Sequence, residues 1–199
     1  MLVDAICFAL SGFFMKASDE FADEKDNTIM AIITGFLCVI FSLYVSHING
    51  DATCIFISIL IGTGLALKVD TINHIMSAII FLLILFTIGF PQVSPFCLVL
   101  SIIAAYADER GNDYADEKEK KGLELNFFEK LLKYRYIFKF TVLLLSLLGL
   151  IQYFNPNFLG NIMFFKPITI VYFYLFDLSY EFSNTLVEGF NDIFQRFLR

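Results

Sequence analysis

The sequence predicts an all-α fold, a polytopic bundle of about seven transmembrane spans with its N-terminus outside and its C-terminus cytoplasmic. Three observations carry this. The chain is 58% hydrophobic, with 25 Phe and a mean hydropathy of +0.72, where soluble domains run at about 45–50% apolar. A globular chain of 199 residues must still cover itself with polar groups, so a water-soluble core has no room for so much apolar surface. The apolar residues fall into long runs, and the basic residues are absent from every second connection.

The runs cover about 2–16, 28–46, 53–69, 75–90, 95–107, 136–154 and 158–178. Several are shorter than the ~20 residues that a straight span needs. The first and fifth are expected to continue as helix into the charged stretches that follow. Pro91 and Pro95 bracket a turn between the fourth and fifth runs, and Asn155, Pro156 and Asn157 make another between the sixth and seventh.

The connections His47–Thr53, Pro91–Ser94 and Asn155–Asn157 hold no Lys or Arg. The opposite set holds Lys16, Lys25, Lys68, Arg110, Lys118, Lys120, Lys121, Lys130, Lys133, Arg135, Lys139, Arg196 and Arg199. The positive-inside rule makes that set cytoplasmic. The chain thus reads as one multi-pass domain over 1–199, in a cell membrane. Lys166 is left over. It either snorkels to the outer interface or faces the bundle interior as a buried base.

Two cytoplasmic pieces stand out, a charged loop at 107–135 and a tail at 181–199. In the loop, Leu123, Phe127, Phe128, Leu131 and Leu132 are expected to share a helical face suited to the membrane surface. In the tail, Phe182, Leu186, Phe190, Ile193, Phe194 and Phe197 form an apolar stripe, opposed by Glu181, Glu188, Asp192 and Arg196. Cys7, Cys38, Cys54 and Cys97 lie in apolar runs without a CxxC pair, as packing residues do. No basic stretch precedes Leu2–Met15, which argues against a cleaved signal peptide. Acids interleave with the bases, which excludes a nucleic-acid surface. No Ser-His-Asp or Cys-His arrangement supports acyl transfer.

The pentapeptide FADEK at 21–25 returns as YADER at 106–110 and YADEK at 114–118. Nearly all the acids fall on the predicted cytoplasmic side, Asp4 and Asp51 being the exceptions. Carboxylates follow the odd-numbered runs, at Asp19/Asp23, Asp70, Asp108–Asp116 and Asp177. Asp19, Asp23 and Asp26 share a helical face, and Glu109, Asp113 and Asp116 or Glu117 are similarly spaced. Such clusters repel unless cations neutralise them, and Mg²⁺ typically takes one or two carboxylates plus a ligand's phosphates. The plain alternative is solvated helix ends with weak ion pairs.

The layout resembles the UbiA superfamily of membrane prenyltransferases. GNDYADEKEK at 111–120 is similar to that family's N-D-x-x-D motif through Asn112, Asp113 and Asp116. DEFAD at 19–23 gives the D-x-x-x-D pattern through Asp19 and Asp23, and LALKVDTINH at 65–74 resembles the family's mid-bundle stretch through Lys68 and His74. The family usually has more spans than this chain offers, and Ser18 stands where its first motif has Asn. The resemblance implies a Mg²⁺-dependent transferase acting on a polyprenyl or other lipid diphosphate. Asp19, Asp23, Asp113 and Asp116 would hold the ions. Lys68 and Arg110 would stabilise the leaving diphosphate. Asn112, Asp70, His74 and Tyr172 would border the substrate. Tyr172, Phe173, Tyr174 and Phe176 either face a carbocation through their rings or are lipid-facing bulk.

Two other classes fit the same residues. A cation transporter or channel would line its path with the acids, using Asp177 and Lys166 near the midplane. A non-catalytic membrane subunit would dock a basic partner on its acidic loops. Membrane lipids are the expected surroundings in every case, and the oligomeric state is open.

Overall fold

The structure, a computed structural model, describes residues 1–23 and 27–197, with side chains through Ser183. Lys25, Asp26 and the side chains of the tail stripe beyond Phe182 lie outside the described residues, as does Arg199. Among the described residues the chain is all helical, with no strand. The helices are α1 (Leu2–Asp23), α2 (Thr28–Ile48), α3 (Gly50–Leu65), α4 (Ile72–Ile88), α5 (Pro95–Lys120), α6 (Phe127–Lys133), α7 (Tyr136–Phe154) and α8 (Thr169–Phe197).

Helix boundaries follow local chemistry. Asn27 accepts from the Met30 amide at the start of α2, and Asn49 from the Asp51 amide at the start of α3. Ser94 caps α5 through the Cys97 amide, with Pro95 as the first helical residue. Gly89, at φ 81°, stops α4. As expected, the first and fifth runs continue as helix, α1 to Asp23 and α5 to Lys120. Over 158–178 the structure departs from the expected apolar helix, because residues 155–168 are turns and irregular chain. Leu159 there has φ 48°, and Pro167 disfavours helix immediately before it. From Thr169 one helix runs on into the tail. Leu123 precedes α6 and does not share its face.

The chain forms two compact units. The first comprises 1–48, 70–90 and 171–199, with α1 against α2 and α2 against α4. Phe8, Ala17, Phe21 and Ala31 lie in its core, and Phe8 stacks on Tyr172 at 5.6 Å. The second comprises 49–69 and 91–170, where α5 packs on α3, α6 and α7. Ile55, Cys54, Cys97, Val142, Leu145 and Phe165 are among its most enclosed apolar side chains. All four cysteines are free and buried, in keeping with a packing role.

Among the described residues, two helices are long and apolar enough to cross a membrane, α2 with 21 residues and α7 with 19. The α3 and α4 helices are also apolar but shorter, at 16 and 17 residues. Large apolar side chains lie exposed along α4 and α7, among them Ile79, Leu83, Phe86, Phe140, Leu144 and Leu147. Water would penalise such a surface, and lipid would not.

The contact of α3 with α5 depends on Gly62. A Cβ there would fall 2.5 Å from the Ala105 Cβ, whereas one at Gly64 would meet nothing within 4 Å. Gly62→Val is therefore expected to lower stability by about 1–3 kcal/mol through overpacking. Gly64→Ala should be neutral or stabilising by up to about 1 kcal/mol. Thermal unfolding of the two variants in detergent compares them, and equal midpoints would contradict the packing.

Candidate functional site

Among the described residues, each unit gathers a cluster of polar side chains around an aspartate, Asp19 of α1 in the first and Asp113 of α5 in the second. In the first unit the centre is Asp19, near the C-terminus of α1. His74 Nε2 meets Asp19 Oδ1 at 2.7 Å, and the Tyr180 hydroxyl donates to Oδ2 at 3.3 Å. The other ring nitrogen, Nδ1, lies 2.8 Å from Thr71 Oγ1. Thr71 occupies the N-cap position of α4 but spends its hydroxyl on His74 instead of the helix. A threonine hydroxyl both donates and accepts, so this pairing suits neutral and protonated imidazole alike. The hydrogen bond to Asp19 raises the His74 pKa, burial opposes it, and the charges of Asp19, Asp23 and Asp70 add to it.

Around this centre, Asn73 Nδ2 donates to Ser18 Oγ at 2.8 Å, and Ser18 Oγ donates to the Ala31 carbonyl. These bonds tie α1, α2 and α4 together below the acidic end. Lys16 pairs with Glu20 one turn on and lies over the Tyr180 ring. Asp23 and Asp70 are exposed. A largely apolar cleft of about 280 Å³ runs between α2 and α4, with Asn73 and Ser77 among its lining residues.

In the second unit the centre is Asp113 on α5. Lys68 bonds to its Oδ1, and Arg110 lies 3.9 Å from Oδ2. All three are substantially exposed, so these pairs are weakly held and readily exchanged. Asn112 donates to the Lys133 carbonyl at 2.9 Å. Asp116 is half-buried on the next turn, and its charge acts on Lys133.

The acidic repeats thus perform different tasks. In YADER, Asp108 accepts from the amides of Ile137 at 2.9 Å and Phe138 at 2.7 Å. It caps α7 from another helix, because Arg135 at the N-cap position has φ 53° and offers no side-chain cap. Glu109 pairs with Arg135 at 3.0 Å. In YADEK, Tyr114 and Lys118 both bond Glu129 of α6, and Glu117 pairs with Lys121. Lys121 accordingly lowers the Glu117 pKa, and Lys118 lowers that of Glu129.

Of the predicted site residues, Asp19 and His74 meet in one unit, and Lys68, Arg110 and Asp113 meet in the other. Tyr172 is packed against Phe8, with 4% of its surface exposed. Phe173 and Phe176 are likewise buried and stacked on each other, while Tyr174 is exposed. Lys166 is exposed, and its backbone amide, not its ammonium, bonds Asp51. Reading the sequence missed Thr71, Tyr180 and the capping role of Asp108. Tyr180 carried a signal, since it follows Asp177 by about one turn of α8.

The donors suit Mg²⁺ unequally. Among the described residues no three His, Cys, Asp or Glu side chains are grouped to hold an ion by themselves. An ion would draw its remaining ligands from water or a phosphate, as Mg²⁺ commonly does. Asp113 and Asp116 fit that demand, since the more distant partner of Asp113 leaves Oδ2 accessible. Both oxygens of Asp19 are already engaged.

Compared with known proteins, the chain matches no family model, no curated protein and no solved structure.

Asp108 gives a pH prediction. It is 3% exposed, and burial pushes its carboxyl up to about 6, against the pull of the Phe138 and Ile137 amides and of Arg135. The folded chain then keeps a proton that the unfolded chain releases near 3.8. Its contribution is greatest below about pH 4, falls as pH rises through about 6, and totals on the order of 3 kcal/mol. Asp108→Asn is expected to remove that slope. Asp108→Ala should cost about 1–3 kcal/mol by leaving two amides without an acceptor. Unfolding midpoints in detergent, followed across this window, check both.

Proposed function

We propose that the chain is a multi-pass integral membrane transferase that uses Mg²⁺ to act on a lipid diphosphate, with the second-unit cluster as its phosphate site. The observation that carries this is the convergence of Lys68, from the turn after α3, with Arg110 and Asp113 on α5, far apart in sequence. A carboxylate held between two cations presents both halves of a metal–phosphate site. The carboxylate can turn to a metal ion while the cations turn to phosphate oxygens. These pairs are exposed and contribute little to stability, so exchanging their partners costs little.

Bound Mg²⁺ would neutralise diphosphate charge. The chain's own groups would do the rest. Lys68 as a point charge and Arg110 as a bidentate fork would hold the leaving phosphate oxygens. Asn112 is already committed to the Lys133 carbonyl and positions the neighbouring Asp113. The apolar helices would keep the lipid's hydrocarbon chain in the membrane, and the distribution of Lys and Arg supports a multi-pass path that would place the acidic clusters on the cytoplasmic side. Most of the apolar window of α7, only 22% buried, would face lipid.

Metal binding to detergent-purified protein, with and without a polyprenyl diphosphate, tests this. Mg²⁺ or Mn²⁺ should bind in a diphosphate-dependent way, and Asp113→Asn should abolish it. Lys68→Gln should weaken diphosphate binding about tenfold or more, the scale of a lost charge-assisted hydrogen bond. Ion binding that ignores the diphosphate, or survives Asp113→Asn unchanged, would sink the proposal.

A further inference from the structure

We propose that α6 is an interfacial foot, which docks on the lipid headgroup layer that α7 enters and holds the acidic end of α5 at that level. It rests on the reading that α7 crosses the membrane, and concerns residues outside the Lys68–Asp113 cluster.

The two faces of α6 have separate tasks. Leu132 turns inward, where a Cβ on Gly111 would lie 2.9 Å from Leu132 Cδ2. Glu129 is 8% exposed and is clasped by Tyr114 and Lys118 of α5. The Asn126–Glu129 capping box closes the helix start, and Asn112 reaches the Lys133 carbonyl. The inward face is therefore fully engaged with α5. Outward, Phe127 and Phe128 are 71% and 74% exposed and pack edge-to-face with each other at 5.8 Å. Neither ring is needed by the contacts with α5.

What covers the rings follows from their place in the chain. The α6 helix ends at Lys133, and α7, apolar enough to span, starts at Tyr136. So short a connection holds the Lys133 end of α6 beside the start of α7, and the rings, at the other end of this short helix, lie within about 10 Å of it along the axis. Tyr134 and Tyr136 lie at the junction, and Lys139 sits over the Tyr136 ring at 4.9 Å. Tyrosines and snorkelling lysines are the usual side chains of that boundary. Lys120 and Lys130 are exposed and form no ion pair among the described residues. They suit lipid phosphates beside an inserted pair of rings.

The chain contains no Trp, so one substitution supplies a single fluorescent reporter. The experiment reconstitutes the full chain in vesicles of phosphatidylcholine and phosphatidylglycerol, with a phospholipid brominated near the top of its acyl chains. Phe127→Trp, Phe128→Trp and, as a reference within α7, Leu147→Trp are compared. Bromine quenching and a blue-shifted emission are expected at both α6 positions, and charge reversal of Lys120 and Lys130 should reduce the quenching there. If the α7 reporter alone senses the lipid, α6 stands in water and the proposal fails while the span survives. Reporters in α6 shielded from aqueous iodide but untouched by bromine would mean that protein covers the rings, which also overturns it. If none of the three senses the lipid, the spanning of α7 fails as well.

Discussion

The opening amides of a helix have no partner within that helix, and in an apolar chain water is not reliably at hand to take them. Several helices here solve this locally, with Asn27, Asn49, Ser94 and Asn126 at their starts. The start of α7 and the turn leading into α8 are served by distant carboxylates. Asp108 reaches from α5 to the amides of Ile137 and Phe138. Asp51 accepts from the Lys166 amide at 2.8 Å and the Thr169 hydroxyl at 2.6 Å. These bonds fix where the helices of the second unit begin relative to α5 and α3.

That constraint separates acids committed to backbone amides from those paired only at the surface. Asp108 and Asp51 are consumed by backbone, and Glu109, Glu117 and Glu129 by bases one or two turns away or on a neighbouring helix. Asp113 keeps exposed pairings with Lys68 and Arg110, and Asp116 is half-buried on the next turn. In the first unit, Asp19 is enclosed by His74 and Tyr180, while Asp23 and Asp70 stay in the open. Similar pentapeptides end in different employment because their surroundings supply different partners, the amides of α7 for Asp108, Arg135 for Glu109 and Lys121 for Glu117.

The segregation of polar and apolar chemistry also explains α6. Its inward face is bound to α5 by a carboxylate clasp and a leucine on a glycine, and its outward face is left with two phenyl rings. A helix of seven residues is too short to be stable alone in water. Its stability comes from the capping box and from α5, which frees the outward face for a surface.

Composition and periodicity by themselves determined that the chain is helical, where most helices lie, and that α1 and α5 carry helix into charged sequence. Those properties depend on neighbours a turn away, and the residues hold them locally. The pairing of Lys68 with Asp113 and of His74 with Asp19 was legible only as candidate residues, because partners so far apart in sequence leave no local periodicity. The turn at Asn155–Asn157 is legible in the sequence, but residues 158–168 read as span because their hydropathy is high, and hydropathy does not register the backbone limits set by Pro167 and Leu159. The division into two units, the burial of Tyr172 and the capping by Asp108 were decided only by tertiary structure. Each depends on which helices pack together, and in an apolar chain every helix offers nearly the same greasy surface to its neighbours.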